Sequence, residues 1–438
     1  MSTRAIARLR LAASTLIPVT LLAATTQPVA AHTADQQERF LFVTTIAQSA
    51  SDPDFVAVVG ADPEQPDYGE IVNRVDMPNV GDELHHFGYS ADQQRLIVPG
   101  LFSNRIHVLD IDGDGSSMTL SAVNEDLVTD SGYAVPHGVM AMHGMLLAPM
   151  IGAANDQTQP GGIVEIDDRT GEFVDYFGPG PDRDPSEAGP TYMYDFAMTP
   201  DAEYAISTTF GSPASCAPGI DPTCLGDEVA VWNAHDEEVI QTESLGPNSG
   251  ALMVRFINEP GVRRAFINTP GTSAVWLAAD DDADGVFEFQ PVLDADEGIE
   301  LPMDIVVSHD NAYLYVSNWF ANTVQQFDIR DPLNPELLAT VSVPHPNMLR
   351  LSRDNSRLYV SNSLLTPWDN DPDFGDPRNS DYGIWLFNVD TSGDLTPVNP
   401  DGSAWVSFAN VEKQTTTGPA GPHMMLFDPS VPLESGEH

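Results

Sequence analysis

Lysine is nearly absent from this sequence: Lys413 is the only one in 438 residues, and Lys and Arg together number 18 against 65 Asp and Glu. A surface with a formal net charge of −47 repels the phosphates of nucleic acids and anionic membranes. The composition therefore argues against both as partners. It is typical of proteins that stay hydrated and soluble in high salt, where screening weakens the repulsion between like charges.

Long apolar segments are also missing, with one exception near the N-terminus. Residues 11–24 form an apolar run that follows Arg4, Arg8 and Arg10 and precedes the small residues of 28–31. This order predicts a cleaved secretory signal peptide, 1–31. A membrane anchor is the alternative, but the run is shorter than the roughly 20 residues that a spanning helix needs. We expect an exported mature chain, 32–438, in the periplasm or the outside medium.

Cysteine is represented only by Cys216 and Cys224. Their spacing differs from the C-x2-C of thiolate metal knuckles, and disulfides persist in exported proteins. The pair therefore predicts a disulfide rather than a metal site.

Helical periodicity is nearly absent too, and a repeat takes its place. A β-rich core recurs at intervals of roughly 45 to 60 residues, each with about four strand-like segments, which is typical of propeller blades. The seven copies are 40–45, 96–100, 146–150, 204–209, 265–269, 313–318 and 358–362. The pattern predicts an all-β fold, a single seven-bladed β-propeller domain over 32–438. The first copy lacks an innermost strand and 422–427 resembles one, so we expect the C-terminal strand to close the ring.

Two acidic segments, 110–115 and 280–285, resemble the start of calcium loops. Ser121 and Pro291 stand where such loops carry a glutamate. Because Asp and Gly also form turns, we interpret both segments as solvated β-turns.

Histidines stand at the start of several innermost strands. Aligning these strands on the turns that follow them brings five residues to one position: His86, His137, Asp195, Asp304 and, approximately, His423. Innermost strands surround the central channel of a propeller, so we expect a ring of these side chains, with His85 and Glu83 one step outside.

Such a ring predicts a metal site, since imidazole-rich sites in an oxidising compartment suit copper(II), with zinc as the rival. His345 is either a fifth ligand or a residue that supports the ligands. His32, at the new N-terminus after cleavage, is more typical of a disordered end. For four other histidines in turns or outer strands, ordinary hydrogen bonding is the better interpretation: His107, His143, His235 and His309.

Loops between second and third strands open on the same face as these histidines. They carry Cys216 and Cys224 in blade four, Trp319 in blade six and Trp368 in blade seven. We expect a small apolar pocket above the metal, although packing between blades is an equal alternative for Trp319.

Several of these motifs together resemble the selenium-binding protein family, whose characterised members include methanethiol oxidases. The similarity runs in order from about residue 40 to 427. Its motifs are DELHH at 82–86, YDF at 194–196, LYVSNW at 314–319, QQFDI at 325–329 and LYVSNSL at 358–364.

The resemblance implies a copper-dependent oxidase that converts methanethiol, oxygen and water to formaldehyde, hydrogen sulfide and hydrogen peroxide. The family's histidines fall on His85, His86, His137 and His423, and Glu83 or Asp195 is a candidate proton acceptor. Animal members carry a cysteine, credited with holding selenium, where this chain has Gly69.

Two other functions compete with this one. An exported, non-catalytic propeller could use the same face to hold a metal, a selenium compound or a partner, because the fold alone does not determine function. A propeller hydrolase would need carboxylate ligands for calcium, which the histidines disfavour. The sequence leaves the oligomeric state undetermined.

Overall fold

Short runs rich in Val, Ile, Phe and Thr form almost all of the regular structure, as their two-residue patterning predicts. The computed structural model describes residues 38–142, 144–153, 160–178, 180–181, 192–216, 222–371, 381–390 and 393–429. All of these belong to one compact unit, Gln37–His438. The predicted signal peptide, His32 and His143 lie outside the described residues.

The strands group into seven antiparallel sheets that follow one another along the chain. Blade one contains β1 (Phe40–Ile46), β2 (Phe55–Gly60) and β3 (Ile71–Asp76). Blade two contains β4 (Gly88–Tyr89), β5 (Arg95–Pro99), β6 (Ile106–Ile111) and β7 (Met118–Asn124). Blade three contains β8 (Tyr133–Pro136), β9 (Met140–Met142), β10 (Met145–Ala153), β11 (Pro160–Ile166) and β12 (Phe173–Tyr176). Blade four contains β13 (Met193–Met198), β14 (Tyr204–Thr209), β15 (Glu228–Asn233) and β16 (Glu238–Ser244). Blade five contains β17 (Val254–Phe256), β18 (Arg264–Thr269), β19 (Ala274–Ala279) and β20 (Glu288–Leu293). Blade six contains β21 (Pro302–Val307), β22 (Tyr313–Asn318), β23 (Thr323–Asp328) and β24 (Glu336–Ser342). Blade seven contains β25 (Leu349–Leu351), β26 (Arg357–Ser361), β27 (Gly383–Val389), β28 (Leu395–Pro397) and β29 (Val406–Ser407). The chain continues with a separate pair, β30 (Val411–Glu412) and β31 (Thr417–Gly418), and with β32 (Gly421–Phe427).

Helices are short and lie in the connections. They are α1 (Leu127–Ser131), α2 (Pro213–Cys216) and α3 (Thr366–Asp369), with single 3-10 turns at Pro222–Cys224, Pro270–Thr272 and Ala295–Glu297. None of the helices in the described ranges is long and apolar enough to cross a membrane.

Burial falls from the inner to the outer strands of each blade. Every residue of β1 and β2 is buried, whereas β24 has only exposed and half-buried positions. The core therefore lies between the inner strands of adjacent blades, as expected for a propeller. This confirms the predicted all-β, seven-bladed β-propeller.

Ring closure is made by the last strand. β32 pairs with β1, with Leu41 opposite Phe427 and Ile46 opposite Gly421, which completes the first blade. The Asp428 carboxylate accepts hydrogen bonds from the backbone N–H groups of Arg39 (2.9 Å) and Phe40 (2.6 Å). Burial of Met425, Leu426 and Phe427 contributes about 1.5–3 kcal/mol for each side chain. The predicted closure by the C-terminal strand is confirmed.

In several blades, a hydroxyl group of the second strand donates a hydrogen bond to a carbonyl at the inner strand of the next blade. The Thr44 hydroxyl donates to the His85 carbonyl (3.0 Å), and the Ser361 hydroxyl donates to the His423 carbonyl. Thr208 and Ser317 make the same bond to the carbonyls of Leu252 and Asn347. The repeat of a Ser or Thr in these strands therefore sets where each following inner strand begins.

Candidate metal centre

Three neighbouring blades place a histidine in or next to an inner strand: His85 before β4, His137 between β8 and β9, and His423 within β32. The backbone N–H of His85 donates to Pro99 (3.4 Å) and that of His137 donates to Pro149 (2.9 Å), at matching points of their second strands. The bond from Ser361 puts His423 at the same level in the first blade. His86 follows at the next residue, within the irregular segment 85–87 that precedes β4.

The four imidazole rings form one cluster. The ring centroid of His85 lies 4.0 Å from that of His423, 4.8 Å from that of His86 and 4.8 Å from that of His137. The His86 and His137 centroids are 4.2 Å apart. One ligand nitrogen from each of His85, His86 and His423 lies within 4.8 Å of the other two. The structure thus brings the four histidines together.

Each ring of this cluster has one nitrogen with no hydrogen-bond partner. Within the described part of the chain, these buried atoms without a partner are Nδ1 of His85 and Nε2 of His86, His137 and His423. The exposed fraction of the four side chains is 6% or less. A buried polar atom without a partner costs about 1–3 kcal/mol. The nitrogens of His85, His86 and His423 lie close enough together to face one cation, and His137 supplies a fourth unpaired nitrogen beside them.

The orientation of His423 is set by the last blade. Its Nδ1 donates to the Ser363 carbonyl at 2.8 Å, and the Asn347 amide donates to the same carbonyl at 2.6 Å. A hydrogen bond of this kind fixes the tautomer and leaves Nε2 free to bind a metal.

Burial lowers the pKa of all four histidines. For His423 burial lowers the pKa to about 4. For His85 and His86 burial acts first, and repulsion from the other imidazoles lowers their pKa values further. Desolvation disfavours the imidazolium form, so the cluster is neutral at pH 7. Neutral imidazole is the form that binds metals.

His345 does not join this cluster. Its ring centroid lies 5.2 Å from that of Trp319, and its backbone N–H donates to the Asn322 side chain at 2.8 Å. Trp319 is fully buried there, in keeping with packing between blades. Of the histidines interpreted as ordinary, His107 is buried and its Nδ1 bonds to the Val98 carbonyl at 3.1 Å, while His235 is exposed.

Glu83 is buried and points toward the loop of blade seven. Its carboxylate accepts a hydrogen bond from the backbone N–H of Thr366 at 2.6 Å. Burial raises the pKa of Glu83 to about 8, and the charges of Asp54 and Asp369 add to the effect. The contact joins the segment before His85 to the first residue of α3.

Asp195 and Asp304 lie on the other side of the ring, where both contact Arg255. The Arg255 guanidinium is 2.7 Å from the Asp195 carboxylate and 3.6 Å from that of Asp304. Each carboxylate also accepts a backbone N–H of the next blade, Val254 at 3.0 Å and Leu349 at 2.8 Å. Burial raises the pKa of Asp304 to about 6.

Sequence reasoning missed Arg255. It interrupts the apolar inner strand β17, in a chain with few basic residues. An isolated arginine between blades that carry Asp195 and Asp304 was the available signal, because buried charges are normally paired.

Two cavities meet at the histidine cluster. An apolar cup of about 50 Å³ is lined by His85, His137, Tyr194, Phe210 and Trp368, among others. A channel of about 440 Å³ is lined by His86, His137, Asp195 and Arg255, among others. His137 borders both, so a metal held by the cluster would be accessible from the cup and from a channel whose mainly apolar wall includes the charged side chains of Asp195 and Arg255.

The disulfide stands in the wall of the apolar cup. Cys216 and Cys224 are joined with an S–S distance of 2.04 Å, and Cys216 lines the cup. Leu364, Leu365 and Trp368 of the blade-seven loop line it too. The predicted apolar surroundings of the histidines are therefore present.

The acidic segment at 280–285 forms a turn. The Asp280 carboxylate accepts the backbone N–H groups of Asp284 (3.0 Å) and Gly285 (3.1 Å) and contacts Arg263 at 3.0 Å. Asp280, Asp282 and Asp284 are close enough together to face one cation, but Arg263 already neutralises the buried member.

The chain matches one known protein family over most of its length. The family model described as 56kDa selenium binding protein (SBP56) matches residues 23–345. This chain belongs to the selenium-binding protein family. The methanethiol oxidase of Danio rerio is 30% identical over 367 residues, covering 72% of this chain and 78% of that protein. Selenium-binding protein 2 of Arabidopsis thaliana is 27% identical and covers 91% and 92%.

A solved structure shares the fold. The hypothetical selenium-binding protein from Sulfolobus tokodaii has a TM-score of 0.78 and 24% identity, over 90% of this chain and 94% of that one. At this identity the likeness supports the propeller fold of the family and nothing finer.

Gly69 stands where the resemblance described above implies a cysteine in animal members. Its φ is +80°, and a Cβ built on it would lie 3.0 Å from the indole nitrogen of Trp405. A side chain here would be strained by the backbone and crowded by the ring. The surroundings of Gly69 therefore favour glycine over cysteine.

Proposed function

We propose that this protein is a copper-dependent oxidase of methanethiol or a similarly small thiol, which it converts with oxygen and water to the aldehyde, hydrogen sulfide and hydrogen peroxide. The proposal depends on one observation, the cluster of four buried imidazoles with unpaired nitrogens between an apolar cup and a channel that contains Asp195 and Arg255. Relatives named methanethiol oxidase, from Danio rerio at 30% identity and Homo sapiens at 27%, support the reaction.

The donor set supports the choice of metal. Neutral imidazoles suit copper and zinc, and copper(II) stands above zinc in the affinity order. His85, His86, His137 and His423 would hold the ion. Copper would supply Lewis acidity toward the thiol sulfur and a one-electron redox couple.

The chain itself positions the reactants. The cup holds the alkyl group against His85 and His137 and keeps bulk water from it, since its other walls are almost wholly apolar. Asp195 lines the channel beside His86 and is the candidate acceptor for the protons released by the thiol. Glu83 contacts Thr366 instead, and we propose that it positions the loop above the cup.

The test is metal analysis, electron paramagnetic resonance and oxygen uptake with methanethiol on the purified protein. We expect about one copper per chain with nitrogen hyperfine structure, and oxygen uptake that stops in His86→Ala and His137→Ala while both variants stay folded. His235→Ala, an exposed histidine, is the matched control and should behave as the wild type. Full copper and turnover in both cluster variants would refute the site.

A non-catalytic role in binding selenium compounds or metal is the second candidate. It is favoured by the relatives from Arabidopsis thaliana that are named selenium-binding protein 1 and 2. Copper bound without oxygen uptake for any small thiol would favour this role over the oxidase.

Export is a further part of the proposal. It is supported by the signal-like pattern of 1–31 and by the disulfide between Cys216 and Cys224. N-terminal sequencing of the native protein should begin at His32, whereas an intact Met1 would contradict export by cleavage.

A further inference from the structure

The apolar cup is small, and apart from the exposed Phe102 and the half-buried Phe210 its lining side chains are buried. A volume of about 50 Å³ admits only a few non-hydrogen atoms, because one water needs roughly 10–15 Å³ of such space. Leu252 is 1% exposed, Trp368 4% and Cys216 1%. The walls are therefore parts of the packed interior, which cannot yield without loss of contacts.

One wall is a continuous row of aromatic rings that begins at the cluster. The ring centroids of His137 and Tyr194 are 3.5 Å apart, those of Tyr194 and Phe210 are 5.5 Å apart, and those of Phe210 and Trp368 are 6.0 Å apart. The row spans the distance between the histidines and the blade-seven loop, so it determines how far a ligand can extend from a metal at His85 and His137.

Phe210 and Trp368 are held from behind by hydrogen bonds of their own loops. The backbone N–H of Phe210 donates to Tyr192 (3.1 Å), and its carbonyl accepts from Gly226 (2.8 Å). Trp368 lies in α3, whose Asp369 accepts the Leu364 N–H at 3.1 Å. Glu83 bonds to Thr366 in the same turn. These bonds keep both rings in place over the cup.

We propose that Phe210, Trp368 and Leu252 determine the substrate's size, limiting the alkyl group of the thiol to one or two carbons. The proposal depends on the function given above, because it assumes that the sulfur binds on the cup side of the cluster. Each additional methylene has to displace a packed side chain, and pockets of this kind discriminate by about 10- to 200-fold per methylene.

The test is the affinity of the copper-loaded protein, without oxygen, for methanethiol, ethanethiol, propanethiol and butanethiol, measured by calorimetry. We expect the wild type to bind butanethiol at least about tenfold more weakly than methanethiol, and Phe210→Ala to remove this difference. Phe289→Ala is the matched control, since Phe289 is also half-buried but lies in the outer strand β20. Leu252→Phe should weaken binding even of ethanethiol.

The outcomes separate this inference from the proposed function. If Phe210→Ala and Phe289→Ala both keep the wild-type dependence on chain length, or if wild-type affinity rises steadily with chain length, the size limit is not set by these residues. Oxygen uptake is measured on the same samples. A size limit that moves with Phe210 but without oxygen uptake would support the cup and overturn the oxidase.

Discussion

The two halves of the ring of inner strands use the same structural level for different chemistry. In blades one to three this level carries imidazoles, which are neutral and have unpaired nitrogens. In blades four and six it carries Asp195 and Asp304, and Arg255, two residues further along the inner strand of blade five, contacts both carboxylates. Position in the ring brings residues together, but only unpaired atoms make a candidate metal site. The charged half supports the fold and the channel.

The largest effect is expected from removal of the strand that completes the histidine half. Deletion of 422–438 takes away β32, His423 and the Asp428 bonds to Arg39 and Phe40. We expect no cooperative thermal unfolding, because β1 becomes an open, apolar edge. Calorimetry is the measurement, and a deletion variant that melts cooperatively near the full-length temperature would show that the ring does not need this strand.

Removal of the Arg255 charge should show how much the charged half of the ring contributes to the free energy of unfolding. In Arg255→Met two carboxylates lose their partner, and we expect the free energy of unfolding to fall by about 3–5 kcal/mol. Arg264→Met is the control. Its partner Asp281 is exposed, so the loss should stay below about 1 kcal/mol. Urea unfolding measures both, and equal losses would mean that the Asp195, Arg255 and Asp304 group does not stabilise the inner ring.

The halves should also respond to pH with opposite sign in the metal-free protein. The pKa of His423 is lowered from 6.5 to about 4. Between these two pH values the unfolded state binds more protons than the folded state, so the free energy of unfolding decreases as the pH falls from 6.5 to 4. The pKa of Asp304 is raised from 3.8 to about 6, so its contribution is present below pH 3.8 and is lost as pH rises to 6. Melting temperatures from pH 4 to 8 test both, and Asp304→Asn should reduce only the second dependence, to which Asp54, with a pKa raised to about 6, also contributes. An unchanged profile in this variant would contradict the raised pKa.

The smallest effect is expected at Glu83. Glu83→Gln keeps an acceptor oxygen for the Thr366 N–H, so turnover should change by less than about twofold if the residue only positions the loop. Glu83→Ala, which removes the acceptor, should alter the thiol size limit. General acid–base catalysis contributes about 10²–10⁴-fold, so a loss of that size in Glu83→Gln would identify Glu83 as the proton acceptor.

Local patterns predicted most of this architecture. The recurring strand cores and the unmatched segment 422–427 were enough for seven blades and for closure at the C-terminus. DELHH at 82–86, together with His137 and His423, was enough to predict a cluster, since inner strands must surround one channel. The alignment placed His423 only approximately, and the structure puts it level with His85, since equivalent Ser and Thr hydroxyls bond to the carbonyls of both residues.

The sequence by itself therefore determined the repeat, the order of the strands and the set of histidines, because periodicity of two and turn residues act locally. Only the tertiary structure decided that Arg255 contacts both Asp195 and Asp304, that Glu83 reaches Thr366, and that His345 packs on Trp319. These contacts join residues from different blades or loops, up to 283 positions apart for Glu83 and Thr366. They depend on side-chain directions at close packing, and no local pattern contains that information.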